Sequence, residues 1–299
     1  MPGLDKFYTQ NHVSKHCFEF LHSQLTIPEE AVYLEPSAGG GSFLDLLPHY
    51  VALDIAPEDD RIEKQDYLKY TTDKTDFITI GNPPFGSRSK LATDFFNKAA
   101  SMSDVIAFIV PVSFMKWSVQ KNLSSNFALH SYTYLEPESF SSNGEPYSVR
   151  TVFQIWVKKG SQYDNGTNLR LTKQPPISHP DFEIWQYNAT PEAVKYVEED
   201  WKYATYRQGY HDYNQIFTRA DYDHIKEKMT GTKKQQFFFI KPLTEASEKL
   251  ILEMDFNALA ERNTATPGFG KGDFVSYYTE LKKSNINQPF LDWTFPLQF

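Results

Sequence analysis

The segment Gly81-Asn82-Pro83-Pro84-Phe85 follows a short apolar run and carries the strongest chemical signal in the sequence. An exocyclic base amine such as adenine N6 is a poor nucleophile, because its lone pair is delocalised into the ring. Two acceptors aimed at that amine free the lone pair, and the Asn82 amide oxygen and the Pro83 carbonyl are candidates. The prolines stiffen the loop, and Phe85 could stack on a flipped base. The alternative is a proline turn with Phe85 in the core.

A glycine-rich loop precedes this segment, between the first predicted strand and the first predicted helix. Glycines at such a place let the backbone approach a ligand closely. No Gly-Lys-Ser/Thr follows, so a phosphate loop is disfavoured, and Glu35 would repel a pyrophosphate. Glu35 suits the cationic methionine end of S-adenosylmethionine better, although a plain connector would have the same composition. The candidate cofactor-binding residues of the loop are Glu35, Pro36, Ser37, Gly39 and Gly41.

Two further acids follow strand-like runs. Asp54 ends the run Ala52-Leu53-Asp54-Ile55, where a carboxylate commonly accepts hydrogen bonds from both ribose hydroxyls. Asp66 could accept a hydrogen bond from an adenine amine, and Tyr67 could flank the ring. Each acid alone is more often a strand end or a helix cap. Three acids at successive strand ends, with the glycines and the Asn-Pro-Pro-Phe segment, indicate a cofactor site.

The first half of the chain alternates apolar and helical patterns, which predicts an α/β fold with a Rossmann-like, doubly wound sheet. Residues 130–135 and 151–158 alternate in polarity and predict an antiparallel pair at the sheet edge. The predicted strands are Ala31–Pro36, Val51–Ile55, Asp76–Gly81 and Val105–Val112, and the predicted helices are Ser42–Leu47 and Lys90–Ser101.

Turn-forming residues after position 160 predict a domain boundary there. Residues 1–160 would then form the catalytic, S-adenosylmethionine-binding domain, and residues 161–299 a C-terminal α+β target-recognition region. The elements predicted for that region are helices at Pro191–Tyr203, Arg219–Met229 and Leu243–Leu259 and a strand at Gln235–Ile240.

The formal net charge of −8 argues against a simple nucleic-acid binder, but residues 202–241 contain eight basic and four acidic residues. Basic residues interleaved with aromatic ones can follow a phosphate backbone and stack bases, which makes Arg207, Lys233 and Lys234 candidate nucleic-acid-binding residues. Pro267–Asp273 predicts a mobile loop whose Lys271 could meet a phosphate. For the interleaved basic and aromatic residues, an ordinary small core with solvated lysines is an equally good explanation.

Several other classes are disfavoured. The single cysteine, Cys17, rules out a disulfide framework, and His12 and His16 lack a third ligand, so we expect no metal. No apolar run reaches membrane-spanning length, and the N-terminus has no signal-peptide core. These features predict a soluble, cytoplasmic protein without a membrane partner.

Together, Phe7-Tyr8-Thr9, the glycine loop, Asp54, Asp66-Tyr67 and Asn82–Phe85 resemble the amino-group, adenine-N6 DNA methyltransferases in their gamma arrangement. The resemblance covers about the first 160 residues, and it departs at Gln10, where the family often has proline. It implies a class I methyltransferase fold, S-adenosylmethionine as methyl donor and DNA as partner, as in restriction-modification or phage enzymes. By this resemblance Tyr8 and Thr9 contact the cofactor, and Asn82–Phe85 hold the target base.

Three alternatives keep part of this interpretation. Asn-Pro-Pro-Phe also occurs in RNA methyltransferases that act on adenosine or guanosine, and protein glutamine methyltransferases use a related loop. A methyltransferase fold can also serve as a non-catalytic binding subunit. The complete Asn-Pro-Pro-Phe segment argues against that last alternative.

Overall fold

The structure, a computed structural model, describes residues 8–136, 139–142, 145–147, 149–262 and 266–287. The chain forms two compact units, Met1–Gln174 (the first unit) and Pro175–Phe299 (the second unit). The first unit continues beyond residue 160 because Arg170 is anchored in it. Both terminal nitrogens of the Arg170 guanidinium donate to main-chain carbonyls, among them those of Gln120 and Leu123 at 2.7 Å.

The first unit contains most of the strands. Its strands are β1 (Tyr8–Thr9), β2 (Tyr33–Glu35), β3 (Tyr50–Asp54), β4 (Glu63–Lys64), β5 (Phe77–Gly81), β6 (Ser103–Pro111), β7 (Phe127–Tyr134), β8 (Phe140–Ser142), β9 (Glu145–Tyr147) and β10 (Thr151–Lys158). Its α-helices are α1 (Asn11–Gln24), α2 (Lys90–Ala99) and α3 (Trp117–Gln120), and its 3-10 turns are Leu44–Leu46, Tyr67–Lys69, Ser87–Ser89 and Val112–Met115.

Seven strands form one sheet in the order β4-β3-β2-β5-β6-β10-β7. The first five are parallel, while β10 lies antiparallel between β6 and β7. The predicted α/β fold with a Rossmann-like sheet is therefore confirmed. The predicted antiparallel pair at the edge is also present, formed by β7 and β10.

Both faces of this sheet are covered, which explains why its central strands are almost entirely apolar. Val13, Cys17 and Leu21 of α1 pack in the hydrophobic cluster on one face. Phe96 and Ala99 of α2 pack in the cluster on the other face. The sheet is thus doubly wound, with helices on opposite sides.

The order of the strands reverses between β2 and β5, which are parallel neighbours in the sheet. From β2 the order runs outward through β3 to β4, and from β5 it runs the other way through β6. In open α/β sheets, ligands bind outside the carboxyl ends of the strands at such a switch point. Glu35 ends β2 and Gly81 ends β5, so the predicted loops meet at this place.

A small second sheet of the first unit holds the N-terminal strand in place. β1 pairs antiparallel with β8, and β8 pairs with β9. The amide of Gln10 also donates to the carbonyl of Ser139 at 3.2 Å. These bonds fix Tyr8 and Thr9 just before α1.

The second unit is an α+β region built on one antiparallel sheet of order β11-β14-β12-β13. Its strands are β11 (Phe182–Tyr187), β12 (Tyr203–Gln208), β13 (Phe217–Thr218) and β14 (Gln236–Pro242). Its α-helices are α4 (Tyr222–Thr230), α5 (Glu245–Leu252), α6 (Phe256–Glu261) and α7 (Lys271–Asn287), and its 3-10 helices are Pro191–Glu198 and Arg219–Asp221.

Some elements differ from those predicted. The helix expected at 243–259 is two helices, because the Asp255 side chain accepts from the amide of Ala258 and begins α6. The helix expected at 191–203 is a 3-10 helix that stops at Glu198, since Tyr203 already belongs to β12. The helix expected at 42–47 is a single 3-10 turn. Among the described residues, no helix combines the length and apolar character needed to cross a membrane.

Candidate active site

A cavity of about 210 Å³ lies at the carboxyl edge of the large sheet. It brings together residues from the start of α1, the end of β2, the glycine loop and the segment after β5. Its lining residues are Tyr8, Thr9, Asn11, Glu35, Ser37, Ala38, Gly39, Gly40, Ser42 and Asn82. The two sequence signals, the glycine loop and the Asn-Pro-Pro-Phe segment, therefore face one space.

The glycine loop is held in its conformation by Asp54. One carboxylate oxygen of Asp54 accepts from the amide of Gly39 at 2.8 Å, and the other accepts from the amide of Ala56 at 2.8 Å. Gly39 has a φ of +53° and Gly41 a φ of +79°, in the left-handed region that glycine adopts without strain. Asp54 thus anchors the loop; it is not one of the lining residues, but it stays partly exposed.

Tyr8 lies against the same loop and lines the cavity. A Cβ added to Gly40 would lie 3.7 Å from Tyr8 Cδ1, so the ring is in contact range of the glycine backbone. The Tyr8 hydroxyl donates to the carboxylate of Glu58. Tyr8 is therefore fixed at both ends, by this bond and by its strand pairing in β1.

Asn82 is oriented by two neighbours at the start of its segment. Its side-chain amide nitrogen donates to the Thr9 hydroxyl at 3.2 Å, and its main-chain carbonyl accepts from the Ser37 hydroxyl at 3.1 Å. The side-chain oxygen is buried and finds no hydrogen-bond partner among the residues that the structure describes. A buried acceptor without a donor is costly, which points to a donor that arrives with a ligand.

Glu35 is the second such group in the cavity. Its side chain is 2% exposed, and within the described part of the chain nothing bonds to its buried Oε2. Burial, and then the neighbouring Asp54 carboxylate, raise the pKa of Glu35 well above the usual carboxyl value. A cation that enters the cavity would satisfy this carboxyl group.

The rest of the two motifs surrounds these groups. Pro36 and Pro83 are buried, whereas Pro84 and Phe85 are partly exposed. Phe85 belongs to none of the hydrophobic clusters formed by the described residues of the first unit. The structure thus does not use Phe85 as a core residue, which leaves its ring for a ligand.

Asp66 and Tyr67 lie away from the cavity lining. Asp66 caps the 3-10 turn that follows it by accepting from the amide of Leu68 at 3.1 Å. Tyr67 is 2% exposed and packs on Phe95, with ring centroids 5.0 Å apart. The structure therefore places Tyr67 in the core, because the turn after Asp66 directs its side chain into the hydrophobic cluster below.

Sequence reasoning missed four lining residues, Asn11, Ala38, Gly40 and Ser42. Ser42 directly follows the three glycines, and its carbonyl accepts from the hydroxyl of Ser14 on α1 at 2.8 Å. Asn11 is the first residue of α1, a helix that was not predicted. The apolar spacing of Val13, Cys17 and Leu21 is the signal that could have revealed that helix and its exposed start.

The four basic candidates of the second unit are not alike. Lys233 and Lys234 are exposed in the segment before β14, whereas Lys271 is half-buried at the start of α7, and burial lowers its pKa. Arg207 lies in β12, where its guanidinium donates to the side chains of Gln208 and Gln236. The structure brings Arg207 into the sheet and leaves the two lysines in solvent.

In the described part of the chain, no group of three or more His, Cys, Asp or Glu side chains is arranged to hold a metal ion.

The chain is similar in structure, and not in sequence, to known proteins. No protein-family model matches the chain, and no curated protein matches it in sequence.

Three solved structures are similar to part of the chain. A modification subunit from Vibrio vulnificus YJ016, assigned to a type I restriction enzyme, is 16% identical over 51% of this chain and 44% of its own, with a TM-score of 0.40. A Pyrococcus horikoshii protein assigned as an RNA methyltransferase is 18% identical, with 52% and 87% covered and a TM-score of 0.41. A Listeria monocytogenes protein assigned as a class I S-adenosylmethionine-dependent methyltransferase is 14% identical, with 56% and 64% covered and a TM-score of 0.42.

The chain therefore spans less than half of the Vibrio subunit and just under two thirds of the Listeria protein.

Proposed function

We propose that this chain is an S-adenosylmethionine-dependent methyltransferase that acts on the exocyclic amine of a nucleic-acid base, adenine N6 in DNA. The observation that carries the proposal is the Asn82 side-chain oxygen. It is a buried acceptor without a partner among the described residues, and it lies in the same cavity as the buried carboxyl of Glu35. The cavity thus offers one group suited to an amine and one suited to a cation.

The residues present fit this methyl donor. The methionine end of the donor carries a cationic ammonium group, which Glu35 can hold, and its ribose hydroxyls suit Asp54. Each Asp54 carboxylate oxygen accepts one hydrogen bond from a loop amide, and each retains a second lone pair that can accept from a ribose hydroxyl. Gly39 and Gly40 let the loop backbone approach the donor, and Tyr8 lines the same cavity in contact range of both glycines.

When bound, the donor would supply a sulfonium methyl group: the S–CH₃ bond would break as the N–CH₃ bond forms, the neutral thioether would leave, and the methylated nitrogen would release one N–H proton to solvent. The Asn82 amide oxygen and the Pro83 carbonyl accept hydrogen bonds from the two N–H groups of the amine, which frees the nitrogen lone pair. Thr9 holds the Asn82 amide so that its oxygen stays available. Catalysis is then mainly positioning and preorganised acceptors.

Phe85 favours a base as the target. Its ring is partly exposed next to Asn82 and lies outside the hydrophobic clusters, as a stacking platform for a flipped base requires. The second unit, with Lys233 and Lys234 in solvent, supplies the proposed target-recognition region. A DNA partner follows from the resemblance of the first unit's motifs, and the experiment below separates DNA from the alternatives.

The test is to incubate the full chain with methyl-labelled donor and with DNA, RNA or a protein extract in separate reactions. The proposal predicts label in the DNA, recovered after digestion as N6-methyldeoxyadenosine, and none with Asn82→Ala. Label in RNA, or on glutamine in protein, would show that RNA or protein is the substrate instead of DNA. No label in any pool, despite donor binding, would favour the non-catalytic alternative.

A further inference from the structure

Glu35 occupies a place where a charged carboxylate would be unstable. The side chain is 2% exposed, and its Oε2 atom is buried with no partner in the described part of the chain. Gly81 packs closely against the Glu35 side chain, since a Cβ added to Gly81 would lie 3.3 Å from Glu35 Cγ. Proteins neutralise a buried carboxylate of this kind by protonating it.

The charges around Glu35 act in the same direction. Among the described residues, Asp54 is the charged group that perturbs Glu35, and no lysine, arginine or histidine does so. Asp54 is held nearby by the amides of Gly39 and Ala56 and so cannot move away. The burial of Glu35, and then the repulsion between the two acids, raise the pKa of Glu35.

We propose that Glu35 exchanges its proton for the ammonium group of the methyl donor, so that donor binding releases about one proton to solvent. This inference rests on the donor site proposed above. The carboxyl O–H bond breaks, the proton leaves to solvent, and the donor's ammonium keeps its own protons and donates to the new carboxylate. The charge of Glu35 in the occupied site is then balanced by the donor's own ammonium group, without a cation from the protein.

This exchange has a definite pH dependence. Protons and the ammonium group compete for the same carboxylate, so donor affinity falls as the pH drops below the pKa of Glu35 in the empty site. The fall should be about tenfold per pH unit for a single proton. Above that pKa the affinity should level off, and it should fall again where the donor's own ammonium group loses its proton. The demethylated product retains the ammonium and should behave in the same way.

The test is calorimetric titration of the full chain with the demethylated donor, S-adenosylhomocysteine, at about pH 6, where the donor's ammonium is protonated. Two buffers with different ionisation enthalpies should give binding enthalpies that differ by the release of about one proton. Glu35→Gln should bind more weakly and release none. Glu63→Gln is the matched control, because Glu63 is exposed on β4, and it should match the wild type.

The outcomes separate the two claims. Binding by the wild type without proton release would overturn the exchange and leave the proposed function standing. Release with S-adenosylmethionine but not with the product would also overturn it, because the sulfonium and not the ammonium would then be the exchanged cation. No binding of either compound would refute the proposed function itself.

A second measurement does not depend on the affinity of the variant. A carboxyl whose pKa is raised by folding stabilises the empty fold at low pH, and that contribution is lost as the pH rises through its folded value. The melting temperature of empty Glu35→Gln should therefore exceed that of the wild type at high pH and approach it at low pH. A variant less stable than the wild type at every pH would show that Glu35 serves the fold as a carboxylate.

Discussion

Each of the two units contains a cavity. The larger cavity is lined by polar groups that already have hydrogen-bond partners, whereas the smaller one also has polar groups without them among the described residues. The cavity of the second unit, about 540 Å³, is lined by groups that bond to one another. There Asn257 binds both Asp212 and the amide of Tyr213, and the Tyr213 hydroxyl donates to the carbonyl of Pro267. The cavity of the first unit is smaller, about 210 Å³, but it contains two buried groups without partners among the described residues.

Buried polar groups without hydrogen-bond partners therefore indicate a reactive site more directly than the volume of a cavity does. Polar groups that bond within the protein complete a fold, whereas buried groups left without partners are costly unless a ligand meets them. The same contrast holds for the aromatic residues. Phe237, Phe238 and Phe239 are fully buried, whereas Phe85 of the first unit stays partly exposed.

The largest effect expected from a single change is on the stability of the second unit. Phe238→Ala should cost about 3–5 kcal/mol of unfolding free energy, because the ring is fully buried and stacks on Phe269 at 5.1 Å. Denaturant unfolding followed by circular dichroism measures the loss. Tyr210→Ala, at an 83% exposed position, is the control and should change stability by less than about 0.5 kcal/mol.

Asn82→Ala tests the unpartnered acceptor in the first unit. The methyl-transfer rate under single-turnover conditions should fall by roughly 10² to 10³, the usual cost of one preorganised transition-state hydrogen bond. Donor affinity should hardly change. Asn82→Asp should retain more activity than the alanine variant, because a carboxylate still accepts hydrogen bonds. An alanine variant that transfers methyl groups at the wild-type rate would remove Asn82 from the mechanism.

Asp54→Ala should weaken donor binding by about 1.5–3 kcal/mol, the range for hydrogen bonds to a charged group. Asp54 holds the glycine loop through the Gly39 amide and is the proposed ribose contact. Calorimetric titration measures the affinity. Asp45→Ala is the control, because Asp45 is exposed and pairs with Arg61 away from the cavity. Equal affinities for the two variants would contradict the assignment of Asp54.

The smallest effect concerns the exposed lysines of the second unit. Replacing Lys233 and Lys234 with alanine should weaken DNA binding and reduce the slope of log affinity against log salt by roughly one for each phosphate that is no longer neutralised. Donor affinity should stay the same. Lys249→Ala, an exposed residue paired with Glu253, serves as the control. An unaltered slope would show that these lysines do not contact the DNA phosphates.

The first sheet could be predicted from the sequence because its strands are short apolar runs that end in small or polar residues. The glycine loop and the Asn82 segment could be located for the same reason, since both directly follow such runs. The orientation of Tyr67 was not predictable, because nothing in Asp66-Tyr67 shows that the next turn buries the ring against Phe95.

Other elements depend on tertiary interactions that the sequence does not display. The sequence predicts a loop around Lys271, because Gly270 and Gly272 are typical of loops. In the structure, α7 begins at Lys271. The hydrogen bonds that join Asn82 to the Thr9 hydroxyl and the Ser37 hydroxyl link residues 73 and 45 positions apart. Such bonds decide which atom of Asn82 remains available to a ligand, and only the folded chain shows it.

Hydrogen–deuterium exchange of the full chain, with and without saturating S-adenosylhomocysteine, shows whether the cavity at the carboxyl edge of the first sheet binds the methyl donor. If it does, the glycine-loop amides and the segment around Asn82 should exchange more slowly in the presence of the compound, with no change in β14 of the second unit. Protection confined to the second unit, or no protection at a concentration that saturates binding, would contradict binding at this cavity.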